Sequence, residues 1–123
     1  MAKNVEIKWL SKPQEQDYPA ALSYLSLLYN EQKAATYVKG LKRAPKIEFK
    51  AKDIFRASGL SLLGVSTAHV ERDQQKIESG HGLSPLLLVR DSANGKVIIA
   101  DGYHRLCAVY LYHEDAVIPC RIV

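Results

Sequence analysis

The stretch from Pro85 to Arg105 constrains the fold more than any other part of the chain. Pro85-Leu86-Leu87-Leu88-Val89-Arg90 is a nearly continuous apolar run, as expected for a buried strand. Asn94-Gly95 is a strong tight-turn signal, and Lys96-Val97-Ile98-Ile99-Ala100 returns as a second strand. Asp101-Gly102 breaks that strand, and Tyr103 to His113 suits a helix with Leu106, Val109 and Tyr110 on one face. A strand that opens into a helix in this way leaves several backbone amides without partners at the helix start. Those amides and the helix dipole favour a negative charge. Gly102 is expected to let the backbone approach a ligand closely. His104 and Arg105 add charge-assisted donors at the same end, and an arginine can grip phosphate bidentately. The structural alternative for the same residues is that Arg105 pairs with Asp101 or another nearby acid, with His104 as a capping group.

Upstream, the pattern is helical and then mixed. Val5, Ile7 and Trp9 alternate as in a short strand or an arm packed on the core. Asp17-Tyr18-Pro19 reads as a helix start, followed by Leu22, Leu25, Leu28 and Tyr29 at helical spacing. Asn30 breaks the run. A second helix carries Ala34, Tyr37, Val38 and Leu41 and ends before Pro45. Residues 1–45 therefore read as a helical extension and 46–123 as the main domain. Lys46-Ile47-Glu48-Phe49-Lys50 alternates as a strand with one wet face. Asp53 is placed to cap a short helix that Gly59 ends, and Thr67 to cap a further helix through Val70 and Ile77. Between them, Ser61 to Ser66 forms a loop containing Gly64. Val117 to Val123 closes as a final strand, in which Pro119 implies that one side is an edge. The class is α+β.

A chain of 123 residues, 47% hydrophobic and 24% charged, suffices for one core but not two. No stretch reaches the roughly 20 apolar residues of a membrane helix. Met1 to Asn4 leads into no apolar signal region, so the expected location is cytoplasmic. Cys107 and Cys120 sit among apolar neighbours and read as reduced buried thiols. The net charge is +4, and Lys39, Lys42, Arg43, Lys46, Lys50, Lys52 and Arg56 supply a basic cluster. Such a cluster faces nucleic acid, a phosphorylated ligand or only water.

With its Gly-Tyr-His-Arg turn set between a hairpin and an Ile-Pro strand, the region 46–123 resembles the ParB/sulfiredoxin fold. In sulfiredoxins the matching turn reads Gly-Cys-His-Arg and holds ATP phosphates. In ParB proteins a related turn binds CTP phosphates, and free serine kinases of this fold carry a related His-Arg turn. The resemblance implies that Gly102, Tyr103, His104 and Arg105 bind nucleotide phosphates, with ATP or another nucleotide and Mg²⁺ as the cofactor. It also implies a small-molecule kinase or nucleotide hydrolase. Tyr103 stands where sulfiredoxins have their nucleophilic cysteine, and a phenol cannot replace a thiolate there, so sulfiredoxin activity is not expected. Nor is plasmid partitioning, because no DNA-binding region follows the core.

Phosphoryl transfer needs a group to relieve the acceptor hydroxyl of its proton. Asp101 and Glu48 are the acids that fit this role, with Asp53 as a third acid whose simpler use is capping. Lys50 and Lys52 lie where this fold often places basic residues beside the nucleotide, the simpler reading being solvated lysines, and His69, at a helix start, faces either the cleft or, as a surface histidine, the solvent. Ser58, Ser61 and Ser66 are further phosphate donors of little weight, and His81 and His113 read as loop and helix-end residues. No metal-ligating spacing is present, so no structural metal is expected. Tyr18, Tyr24, Tyr29, Tyr37, Tyr110 and Tyr112 read as packing residues. A non-enzymatic module binding nucleic acid or protein through residues 39–56 is the alternative, and the Leu- and Tyr-rich hairpin suggests a homodimer.

Overall fold

The structure, a computed structural model, describes residues 6–63 and 67–123. Val5, Gly64 and Ser66 lie outside the described residues. The elements run α1 (Asp17–Leu28), α2 (Glu31–Arg43), β1 (Ile47–Lys50), α3 (Ala51–Ser58), α4 (Ala68–Glu78), β2 (Leu86–Asp91), β3 (Lys96–Asp101), α5 (Tyr103–Tyr112) and β4 (Val117–Ile122). The four strands form one mixed sheet in the order β1-β4-β2-β3. β4 is antiparallel to β1 and parallel to β2, and β2 and β3 form the antiparallel hairpin. The α+β class is as expected.

β2 explains the layering. Its side chains alternate between two apolar clusters, so it is buried on both faces. Leu86 and Leu88 enter one cluster with Ile54, Val70, Ile77, Leu106 and Ile118. Leu87 and Val89 enter the other with Tyr18, Ala21, Leu25, Val38 and Leu41. One face of the sheet is therefore covered by α1 and α2, and the opposite face by α3, α4 and α5. The N-terminal hairpin is a full layer of the fold, because without it Leu87, Val89 and Ala100 would face water. At about 25 cal/mol per Å² of apolar surface, that exposure would be costly.

Ile7 and Trp9 pack against the core as an arm, and Trp9 forms an isolated bridge with Leu83. The first helix stops at Leu28 with an extended Tyr29, and Asn30 caps the second, its Oδ1 accepting from the Lys33 amide at 2.8 Å. Three local expectations are corrected. Asp17 lies inside the first turn of α1, buried, where its carboxylate accepts the Gln14 amide at 3.0 Å instead of capping from outside. The buried stripe of α1 is Tyr18, Ala21 and Leu25, which leaves Leu22, Leu27 and Leu28 exposed, Leu27 by 82%. β4 is an inner strand, yet Pro119 is tolerated there because the parallel ladder to β2 begins only at Cys120.

No helix among the described residues is long and apolar enough to cross a membrane. Cys107 and Cys120 are buried and free.

Candidate functional site at the start of the fifth helix

The β2–β3 register slips by one residue beside the turn. Leu87 pairs with Asp101 and Leu88 with Ile99, so Ala100 has no partner of its own. Such a bulge re-aims the residues that follow it. Here it delivers Asp101 to the end of the sheet beside α1. Gly102 then turns the chain at φ 109°, a left-handed conformation that disfavours any other residue. The first intrahelical bond of α5 runs from the Leu106 amide to the Gly102 carbonyl at 2.9 Å. The amides of Tyr103, His104 and Arg105 precede that bond, and no side chain caps them.

Gly102 serves packing more than ligand approach. A Cβ on it would lie 2.8 Å from Leu86 Cγ and 2.9 Å from Arg105 Nη2. The space is already filled by an arginine folded back over the turn. Arg105 Nη2 donates to Asp101 Oδ2 at 2.8 Å and to the Pro85 carbonyl at 3.4 Å, while its Nε is buried without a partner. Both members of this ion pair are mostly buried. Burial pushes the Asp101 carboxyl above its usual range, Arg105 opposes that shift, and neighbouring Asp17 reinforces it. The structural alternative for Arg105 and Asp101 is thus realised: they brace the turn and tie it to the chain at Pro85, just before β2. Asp101 Oδ2 is engaged in this brace.

The ligand-facing groups come instead from α4. A pocket of about 190 Å³ opens between α4 and the start of α5, lined by His69, Arg72, Asp73 and Lys76 on one side and Asp101 to Arg105 on the other. The His69 and His104 rings lie 4.8 Å apart between centroids. Burial lowers the His104 pKa below its ordinary value, His69 and Arg105 lower it further, and Asp73 acts in the opposite sense. Asp73 is itself buried, which raises its carboxyl pKa against the pull of Arg105, Lys76, His104 and His69. Tyr103 lines the pocket, and its hydroxyl donates to the Ser61 carbonyl.

The structure places His69 beside His104 at the pocket, where the sequence left open whether His69 faces the cleft or the surface. It does not bring Glu48 or Lys50 to the pocket. Both sit on β1, the edge strand farthest from β3, and Glu48 faces water near Lys46 at 4.0 Å. Asp53 lies in the first turn of α3, 4.0 Å from Arg56, and Lys52 pairs with Asp115 at 2.6 Å. Ser58 closes the end of α3, donating to the Phe55 carbonyl and accepting the Leu60 amide. His81 is exposed in its loop, and His113 Nδ1 accepts the Asp115 amide. In the basic cluster, Lys42 lies over the Tyr18 ring, and Lys46, Lys52 and Arg56 each have a carboxylate nearby, which blunts the face as a nucleic-acid surface.

Sequence reasoning missed Arg72, Asp73 and Lys76. The signal was present: with His69 they occupy positions i, i+3, i+4 and i+7, one stripe of α4. For Mg²⁺, the available carboxylates are Asp73 and Asp101. Both stand among cations, Asp101 is held by Arg105, and no group of three His, Cys, Asp or Glu residues among those described is arranged to hold a metal. The donor set does not fit a Mg²⁺ held by the protein. Burial pushes the Cys107 thiol pKa up, and that of Cys120 to about 12, so neither is a ready thiolate. No protein-family model, no curated protein and no solved structure matches this chain.

Proposed function

We propose that the protein binds a phosphoryl group, carried by a nucleotide or another phosphorylated small molecule, in the pocket between α4 and α5. One observation carries this reading: Arg72, Lys76, His69 and His104 converge on the uncapped amide end of α5. Charged donors, a helix dipole and free amides all favour the same ligand charge. The resemblance of the Gly-Tyr-His-Arg turn to the phosphate-binding turn of ParB/sulfiredoxin-like proteins supports the same reading. The pocket volume of about 190 Å³ suits a phosphoryl group. It falls short of the roughly 300–1,000 Å³ of sites that enclose whole small molecules, so the rest of the ligand would lie outside it.

Binding is better supported than transfer. A kinase or hydrolase would need a free base near the phosphate, and Asp101 is engaged by Arg105. The roles divide accordingly: Arg72 and Lys76 attract the anion, His104 and the α5 amides orient it, and Arg105 holds the turn.

Thermal stabilisation by phosphate, pyrophosphate and ATP tests the reading. At 100 times Kd, binding adds roughly 2.7 kcal/mol. A stabilisation by at least one of them that Arg72→Ala and Lys76→Ala reduce supports it. No stabilisation by any of the three, with the protein folded, would refute it. Arg105→Ala is a poor probe here, because it removes the brace as well as a charge.

A further inference from the structure

We propose that a second pocket, on the other half of the same sheet face, binds a small apolar carboxylate such as a medium-chain fatty acid or an aryl acid. This pocket has a volume of about 410 Å³, within the roughly 300–1,000 Å³ range of small-molecule sites. Its floor is the sheet itself. Leu88 and Ile122 lie side by side in register on β2 and β4, and Val97 continues the floor on β3. Ile54 and Ala57 of α3 form one wall, and Phe49 of β1 closes an end.

Two cations stand at this apolar floor. The β2 alternation puts Arg90 on the same face as Leu86 and Leu88, opposite Val97. Lys96 lies at the start of β3, beside the same rim. Among the described residues neither has a carboxylate within ion-pair distance, and the single acid lining the pocket, Asp53, lies 4.0 Å from Arg56. An uncharged ligand would use only the floor. A carboxylate with an apolar body would bury that body on the partly exposed Phe49, Val97 and Ile122 and meet Arg90 and Lys96 with its charge. The site shares no lining residue with the polar pocket, so its occupancy is independent of the phosphoryl reading.

Methyl and amide NMR of the full chain, titrated separately with octanoate, benzoate, octanol and benzyl alcohol, tests the proposal. The expected result is a set of shifts at Ile54, Leu88, Val97 and Ile122 with one or both acids. Each binding acid should bind about tenfold more tightly than its alcohol, the scale of one charge-assisted contact. Octanoate against benzoate tells a chain-shaped pocket from a ring-shaped one. Arg90→Gln with Lys96→Gln, both at exposed positions, should erase the preference for acid, and Ala57→Phe should block binding. The proposal is overturned if neither acid binds, if the alcohols bind as tightly, if the preference survives the double substitution, or if the shifts fall on His69–Lys76 and Tyr103–Arg105 instead.

Discussion

Two pockets share one sheet face and differ in almost everything else. At the end where β3 runs into α5, the bulge at Ala100 and the turn at Gly102 interrupt the ladder, and the lining is basic and polar. At the other end, β2, β3 and β4 stay in register, and the floor is leucine, valine and isoleucine. The difference teaches that polarity here follows backbone regularity. Where strands remain paired, their amides are consumed and only side chains meet a ligand. Where the ladder breaks into a helix, amides are left over, and cations gather around what those amides attract.

The sharpest way to break this contrast is to remove its brace. Arg105→Ala leaves Asp101 buried beside Asp17 without its cation. A loss of about 3 kcal/mol is expected in chemical denaturation, since an unpaired buried charge is costly. A loss below about 0.5 kcal/mol, the usual range for surface changes, would show that the pair is not structural. Gly102→Ala should cost somewhat less, about 2 kcal/mol, from its positive φ and the contact with Leu86. At the apolar end Gly95 also has positive φ, but nothing crowds its Cβ, so Gly95→Ala should cost about 1 kcal/mol, less than Gly102→Ala. Equal losses at the two glycines would remove the packing argument for the turn.

Binding effects should be smaller and cleaner. Arg72→Ala and Lys76→Ala are exposed changes, expected within about 0.5 kcal/mol of wild-type stability. Each should weaken phosphate binding by about tenfold in calorimetry, one charge-assisted contact. The smallest effect is pH dependence. The folded-state pKa of His104 lies below its unfolded value, so the unfolded chain takes up this proton first as pH falls. Through this group, stability present above the unfolded pKa of about 6.5 is lost as pH drops toward the folded pKa. An anion in the pocket opposes that trend, because it favours the charged ring. Sulfate, whose charge is constant over this range, should therefore bind more tightly below about pH 6.5, and His104→Gln should flatten the profile.

Much of the fold was legible because β2, β3 and the turn carry strong local signals. The triple-leucine run, Asn94-Gly95 and Asp101-Gly102 each admit few conformations. The α1 stripe was misread because alanine counts little in hydrophobic periodicity, yet Ala21 is fully buried in the cluster with Leu87, Val89 and Ala100. Pro119 misled because its constraint concerns one ladder at one position, which a staggered inner strand satisfies. At the site, the α5 half was legible and the α4 half was not. The stripe His69, Arg72, Asp73 and Lys76 has the spacing of any solvated helix face, and only tertiary packing turns it toward His104. Glu48 and Lys50 were drawn to the site by the resemblance and the chemistry it implies, and the strand order instead puts both on the edge strand farthest from β3.

Amide NMR of the full chain titrated with phosphate tests the central claim most directly. The account predicts saturable shifts centred on Tyr103, His104 and Arg105 and on Arg72 and Lys76, with the apolar end unmoved. Shifts spread over the lysines of α2 and β1, or no saturable shift at all, would contradict it.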